Sequence, residues 1–361
     1  MQLHVFFLNV IYKFALCVLV HMSNFEQFLD EGSADSKILF TGLDYAGKSS
    51  IISVLRQEFE QIATLKPTKA AQRKVFEYLG RAIAEWDLGG QKTYRMNYLM
   101  HPSKYFDKTD VCIYVVDIQD KSRVLEMLSY FNDVVQQFKK LSITPSIFVF
   151  LHKYDPDYVD MNQIEVNATI SEIKEKMIKI THGKFNLSFQ KTTIRRLWSI
   201  INAFSEIMLS LYPQSKLLDQ LIMDFVNKTE AKAMVVLDNN CLVIGQQYSA
   251  DYYKELVQIS TPYFLTLNES FSDKITEIQK RENPQKEKVE LDKNSSNKFE
   301  TEEGINTSKR LTIIRSGEKF IFDEFFLQKF KKPMYLLMIG GSREIADDEL
   351  NSFVKVFKNY I

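Results

Sequence analysis

Apolar positions along the chain gather into short runs set between longer polar or helically periodic stretches. KILFT, at Lys37 to Thr41, is such a run; it stops at Gly42, and a helical pattern follows from Lys48 to about Ile62, so the local expectation is strand, loop, helix. Further runs occur at Arg81 to Trp86 (RAIAEW), Val111 to Val116 (VCIYVV) and Ser146 to Leu151 (SIFVFL). The stretches between them are long enough for crossover helices, and the alternation predicts an α/β fold with a doubly wound, mainly parallel sheet.

A long amphipathic stretch from Thr192 to Leu211 ends at Tyr212 and Pro213, where the pattern begins afresh. That places a domain boundary near Pro213. Lys216 to Asn227 reads as a helix, AKAMVVLDNNCLVIGQQYS as a hairpin turning at Asp238, Asn239 and Asn240, and Asp251 to about Ile259 as another helix. Residues 272–309 are rich in Lys, Glu, Asn and Ser and poor in apolar groups, so they cannot repay their ordering entropy and read as a disordered loop. Strand-like RLTIIRS, KFIFDEFF and PMYLLMIGG follow, then a helix from about Asp347 to Tyr360. This order implies a smaller α+β domain, an antiparallel sheet with helices on its faces. The expected division is therefore an extension over 1–36, a first domain over 37–212 and a second over 213–361.

With 361 residues, 45% of them apolar, the chain can bury two cores. Forty-six basic residues against 46 acidic ones leave no whole-chain charge to attract nucleic acid, and the Phe/Tyr-rich strands near the C-terminus read as core and not as a base-stacking platform. Cys17, Cys112 and Cys241 lie far apart without ligand spacing, which argues against zinc or a disulfide framework and for a reducing, cytosolic compartment. The apolar segment Val5 to Val20 is short for a membrane span and is interrupted by Asn9 and Lys13. An interfacial anchor, a helix packed on protein, and translation begun upstream of the conventional-looking start at Met22 all fit it. Peripheral membrane attachment stays open on this reading.

Gly42 to Ser49 (GLDYAGKS) fits G-x-x-x-x-G-K-[ST] between a strand and a helix. In that context Gly42, Asp44, Tyr45, Ala46, Gly47, Lys48, Ser49 and Ser50 would wrap phosphates with backbone N–H groups and a helix N-terminus; Lys48 would reach the outer phosphates and the Ser49 hydroxyl would ligate Mg²⁺. WDLGGQ, at Trp86 to Gln91, ends another apolar run. Asp87 there suits the Mg²⁺ shell, Gly90 an approach to the outermost phosphate, and Gln91 the orientation of an attacking water. HKYD, His152 to Asp155, follows a third run. Its Lys153 can lie along a purine, and Asp155 can accept two hydrogen bonds, which guanine can donate and adenine cannot.

These motifs carry a resemblance. GLDYAGK and WDLGGQ are similar to the phosphate loop and second switch of Arf-like GTPases, whose first-switch PT pair matches Pro67 and Thr68. HKYD in place of NKxD, the sequence WDLGGQKTYRMNYL and the small α/β C-terminal region resemble instead the Rag/Gtr GTPases, which end in a roadblock-like dimerisation domain. The resemblance implies that Thr68, or its neighbour Thr64, closes on Mg²⁺ and the γ-phosphate. It implies further that Thr192 and Thr193 belong to the loop whose backbone touches guanine, although two threonines before a helix are also an ordinary N-cap. His152 replaces the asparagine that ordinarily ties the base loop to the phosphate loop. Arg95, near Gln91, reads as a solvated helix charge and not as an intrinsic arginine finger, while His101 and Pro102 mark the end of a helix. The expectation is a GTP-binding and hydrolysing switch, slow without an activating partner, using GTP/GDP and Mg²⁺. It would pair through 213–361 with a second Rag/Gtr-like GTPase or itself, answer to activating and exchange factors, and bind no nucleic acid. A scaffold with negligible hydrolysis and an ATP-dependent P-loop phosphotransferase are the competing readings.

Overall fold

The computed structural model describes residues 35–55, 68, 70–78, 81–211, 215–238, 242–261, 264, 309–326, 333–340 and 347–357. The apolar segment at 5–20, Thr64, Pro67, the far part of the first helical pattern, Asn239 and Asn240, and the Lys/Glu-rich stretch up to residue 308 lie outside them. The chain divides into two compact units, one spanning Phe25–Tyr212 and the other containing Pro213–Ile361.

In the first unit β1 (Ser36–Gly42), β2 (Ala71–Tyr78), β3 (Arg81–Leu88), β4 (Val111–Asp117), β5 (Ser146–His152) and β6 (Leu187–Lys191) form one sheet in the order β2-β3-β1-β4-β5-β6. Every pairing is parallel except β2 on β3. The helices are α1 (Lys48–Leu55), α2 (Lys92–Met100), α3 (Pro102–Tyr105), α4 (Val124–Lys140), α5 (Pro156–Met161), α6 (Gln163–Thr181) and α7 (Leu197–Leu211). Because β1 is flanked by β3 on one side and β4 on the other, the winding reverses at its C-terminal end, where sheets of this kind open a ligand crevice.

The central strands are apolar at nearly every position because both of their faces are covered. Leu39, Tyr114, Val116 and Val149 pack with Phe131, Val135 and Phe138 of α4 and with Ile173 of α6. On the other face Phe40 stacks on Phe204 of α7, ring centroids 6.3 Å apart, and α7 lies beside α1. Each large side chain buried this fully stabilises the fold by about 2–3 kcal/mol. The strands that pattern reading passed over, β2 and β6, are the two edges of the sheet. β2 is largely exposed, and its AQRKVFEY carries charge; β6 is covered only in part, so neither shows an apolar run.

The second unit joins β7 (Ala233–Leu237), β8 (Val243–Tyr248), β9 (Lys309–Arg315), β10 (Glu318–Phe326) and β11 (Pro333–Ile339) in the order β8-β7-β11-β10-β9, with every pairing antiparallel. Lys309, which its composition assigned to the loop, opens β9, in register with Glu324 of β10. Helix α8 (Ser215–Thr229) presses so closely on β8 that a Cβ on Gly245 would sit 2.4 Å from Ile222 Cδ1. Helix α9 follows at 251–261, and α10 (Asp347–Phe357) closes the unit. Phe325 meets Phe357 edge-on at 6.3 Å, while Phe322 on the opposite face stacks on Phe264 at 5.8 Å, so both faces of the sheet are packed. Phe320, Phe322 and Phe325 of these strands are core, and this second, antiparallel sheet is consistent with a roadblock-like domain.

Candidate functional site

The chain leaving β1 turns tightly over the ends of β4 and β5, and its glycines stand where there is no room for a side chain. Gly42 has φ +137°, and a Cβ there would meet Val115 O at 2.4 Å; Gly47 has φ +94°, and a Cβ would meet the His152 ring at 2.4 Å. Between them Ala46 is buried, Asp44 is half-buried, and Tyr45 is exposed with φ +58°, a left-handed conformation that a non-glycine residue adopts only when the surroundings impose it. Lys48, Ser49 and Ser50 then open α1, whose first N–H groups have no partners within the helix and point into the turn.

Lys48 is buried and donates to Gly42 O at 3.2 Å and to Leu43 O at 2.7 Å. Among the described residues no carboxylate lies within ion-pair distance of its Nζ. Burial lowers its pKa to about 8, with the charges of Asp87 and Asp44 opposing that fall. A buried ammonium that faces neutral carbonyls is short of negative charge, which a phosphate would supply.

Three oxygen-bearing side chains meet beside it. Ser49 Oγ lies 2.7 Å from Thr68 Oγ1, and both approach Asp87 Oδ2, at 3.4 and 3.2 Å. The three come from α1, from the chain before β2 and from the end of β3. A small bare segment lets them converge: a Cβ on Gly89 would lie 2.5 Å from Thr68 O, and one on Gly90 would lie 2.2 Å from Asp44 N. Gly90 O instead accepts from Asp44 N at 3.2 Å. This hydroxyl, hydroxyl, carboxylate set offers oxygen only, the donor chemistry of a hard cation such as Mg²⁺. Gln91 stands next to Gly90 at the N-cap of α2, half-buried, and its side chain caps nothing there.

The other end of the crevice is built around β5. His152 is buried, its Nδ1 3.0 Å from Thr192 Oγ1 and its ring against Gly47. Thr193 Oγ1 donates to Asp155 Oδ1, and Gln119 Nε2 donates to Asp155 Oδ2 at 3.1 Å and to Lys153 O at 2.8 Å. Lys153, held at φ +59°, places Nζ 2.5 Å from Asp117 Oδ2. The structure thus brings Thr192 and Thr193 to the HKYD loop by their hydroxyls. The two threonines precede α7, which begins at Leu197; Thr193 Oγ1 also accepts from Arg195 N at 3.1 Å, and Thr193 N and Thr193 O are bonded to Ser199 Oγ.

A correction concerns Arg95. It is no solvated charge; it is buried, paired with Glu126 and stacked over the Tyr130 ring at 4.9 Å. Asp117, Gln119 and Arg123, which the sequence reading passed over, also belong to the site. Their signal was the acidic end of β4 followed by IQDKSR, which repeats the placement of Asp87 at the end of β3.

The family model described as "Gtr1/RagA G protein conserved region" matches residues 37–262, running from β1 beyond the first unit into the second. The chain belongs to this family of G proteins. Ras-related GTP-binding protein A of Dictyostelium discoideum is 23% identical over 244 residues, covering 65% of this chain and 79% of that protein. ADP-ribosylation factor-like protein 3 of Chlamydomonas reinhardtii is 34% identical over 127 residues, 35% of this chain and 67% of that protein. ADP-ribosylation factor F of D. discoideum is 33% identical over a stretch of the same length, 64% of its own. The chain therefore spans about two thirds of these two Arf-type relatives. Rag/Gtr and Arf features coexist in one small-GTPase fold, as the motifs implied.

In this family member the buried His152 stands where the Arf-like motif has asparagine. Burial lowers its pKa to about 4, and the charge of Lys153 pushes the same way. The imidazole is therefore neutral when folded and protonates more readily once unfolded, near 6.5. The unfolded chain binds more protons between these values, so stability is full above pH 6.5 and falls as pH drops towards 4, by up to about 3 kcal/mol. Urea midpoints measured at pH 7 and pH 5 should show this loss for the wild type and a smaller one for His152→Asn; equal losses would refute it.

Proposed function

We propose that this chain is a switch that binds GTP in the crevice at the end of β1 and hydrolyses it slowly unless an activating partner assists. The observation that carries this is the meeting of Ser49, Thr68 and Asp87 beside the buried Lys48. The backbone around Gly42–Ser49 cradles the phosphates, Lys48 supplies positive charge, and Gly90 offers its N–H to the outermost phosphate. Ser49, Thr68 and Asp87 would hold Mg²⁺, which when bound neutralises charge on the phosphate oxygens. Gln91 orients the attacking water. Lys153 lies along the base, and Asp155, held by Thr193 and Gln119, accepts from guanine. Loss of the outermost phosphate frees Thr68 and Gly90, and a partner reads the difference.

The second unit pairs with the like unit of another Rag/Gtr-type GTPase, or with its own copy, and exchange and activating factors act on the first. The reduced, buried Cys112 fits a cytosolic setting. Among the described residues no helix is long and apolar enough to cross a membrane. Single-turnover hydrolysis of GTP with Mg²⁺ tests the reading: Gln91→Leu should slow it about 10–100-fold while GDP affinity stays within about threefold. A wild-type rate no higher than that of the variant would leave a nucleotide-bound scaffold in place of a hydrolysing switch.

A further inference from the structure

Asp44 puts a carboxylate in the middle of the phosphate loop, and its N–H is bonded to Gly90 O, so it lies on the side where the outermost phosphate is assigned. An uncancelled negative charge there opposes that phosphate. The chain meets it from far along the sequence. Arg123 Nη2 donates to Asp44 Oδ1 at 2.6 Å, and Arg123 Nη1 lies 3.4 Å from Asp44 O. Arg123 ends a short 3₁₀ turn, Lys121–Arg123, that leads into α4, and its Nε donates to Glu126 Oε2 at 2.8 Å.

The other oxygen of Glu126 accepts from Arg95 Nη2. Arg95 stands on α2 four residues after Gln91, and its Nε is buried without an acceptor among the described residues. A ladder of side chains thus runs from the helix following Gly90 to the phosphate loop, Arg95 to Glu126 to Arg123 to Asp44, with an unused donor at its far end. A cleft lined in part by Asp44, Asp120 and Arg123 leaves space beside the last rung.

We propose that Arg123 is a positioning residue for the outermost phosphate: it cancels the Asp44 carboxylate, and Glu126, shared with Arg95, makes that cancellation depend on where α2 sits. The inference rests on the nucleotide reading above and adds a cation that the chain supplies to its own phosphate loop. Its consequence is selective. A diphosphate leaves the position beside Asp44 and Gly90 empty, so Arg123 matters little for GDP and much for GTP.

The test is a competition titration on the full chain with Mg²⁺, comparing GDP with a non-hydrolysable GTP analogue. Arg123→Ala should lower the ratio of analogue affinity to GDP affinity about 10–100-fold, since one uncancelled charge a few ångströms away is worth that much at the edge of a protein. Adding Asp44→Asn should restore the ratio. Asp44→Asn alone should raise it severalfold, which keeps the test open should Arg123→Ala not fold. Arg95→Met should lower it more weakly, because Glu126 then draws Arg123 away from Asp44. A ratio that stays flat in Arg123→Ala, or a fall that Asp44→Asn does not restore, would reduce the ladder to a structural ion pair and overturn the proposal. A wild type that binds neither nucleotide would overturn the nucleotide reading and this one with it; wild-type binding with a flat ratio would overturn this one alone.

Discussion

Asp155→Asn is expected to exchange guanine for xanthine as the preferred base. A carboxylate accepts from both N1–H and the 2-amino group of guanine, whereas an amide presents one acceptor and one donor, which matches the N1–H and the 2-carbonyl of xanthine. Guanine would then set a donor against a donor and leave polar groups unpaired, at a cost of about 3–5 kcal/mol, or about 10²–10⁴ in affinity. The side chain should stay in place, because the Thr193 hydroxyl can donate or accept while Gln119 Nε2 donates to the remaining oxygen. Competition among GDP, XDP and ADP with Mg²⁺ reads the outcome directly. Equal binding of ADP by the wild type, or no gain for XDP in the variant, would remove Asp155 as the base-reading group.

The second large effect is expected at Lys48. Lys48→Met should lower the affinity for GDP and GTP by at least about 10³, since it deletes the charge-assisted bonds to the phosphates. The nucleotide-free protein should behave differently. There the ammonium is buried against two neutral carbonyls, and replacing such a charge with an apolar side chain of similar length is neutral or stabilising. Thermal melts with and without GDP and Mg²⁺ should therefore show an unchanged or raised Tm for the empty variant, together with loss of the rise that nucleotide gives the wild type. A variant that melts much lower when empty would make Lys48 a structural residue, and retained stabilisation by GDP would place the phosphates elsewhere.

His152 shows what sequence and packing each contribute. Its position directly after SIFVFL and its departure from asparagine are visible in the sequence. What it does instead is a matter of packing: the ring fills the space that Gly47 leaves open and meets the hydroxyl of Thr192, forty residues on. The amphipathic stretch from Thr192 to Leu211 does not reveal that both threonine hydroxyls are engaged with β5 and the loop after it. Arg95 departs from its expected solvated place for a related reason. The nine residues of α2 do not show which side faces α4, and only the arrival of Glu126 and Tyr130 makes a buried place for a guanidinium.

By itself, then, the sequence determined whatever depends on local spacing. The central strands announce themselves because burial on both faces forces apolar residues at every position. The phosphate loop announces itself because glycine, lysine and serine must stand at fixed intervals to turn the chain and open a helix. The pairing of β7 with β8 follows in the same way from two apolar runs set close together in the chain. Tertiary structure alone decided what depends on chain segments that meet from far apart: the edge strands β2 and β6, covered only in part and so without a run of their own; the grip of Gln119 on Asp155; and the pairing of Arg123 with Asp44. In each of these a polar side chain takes its role from the partner that the folded sheet sets a few ångströms away, and nothing in its immediate neighbours along the chain encodes that partner.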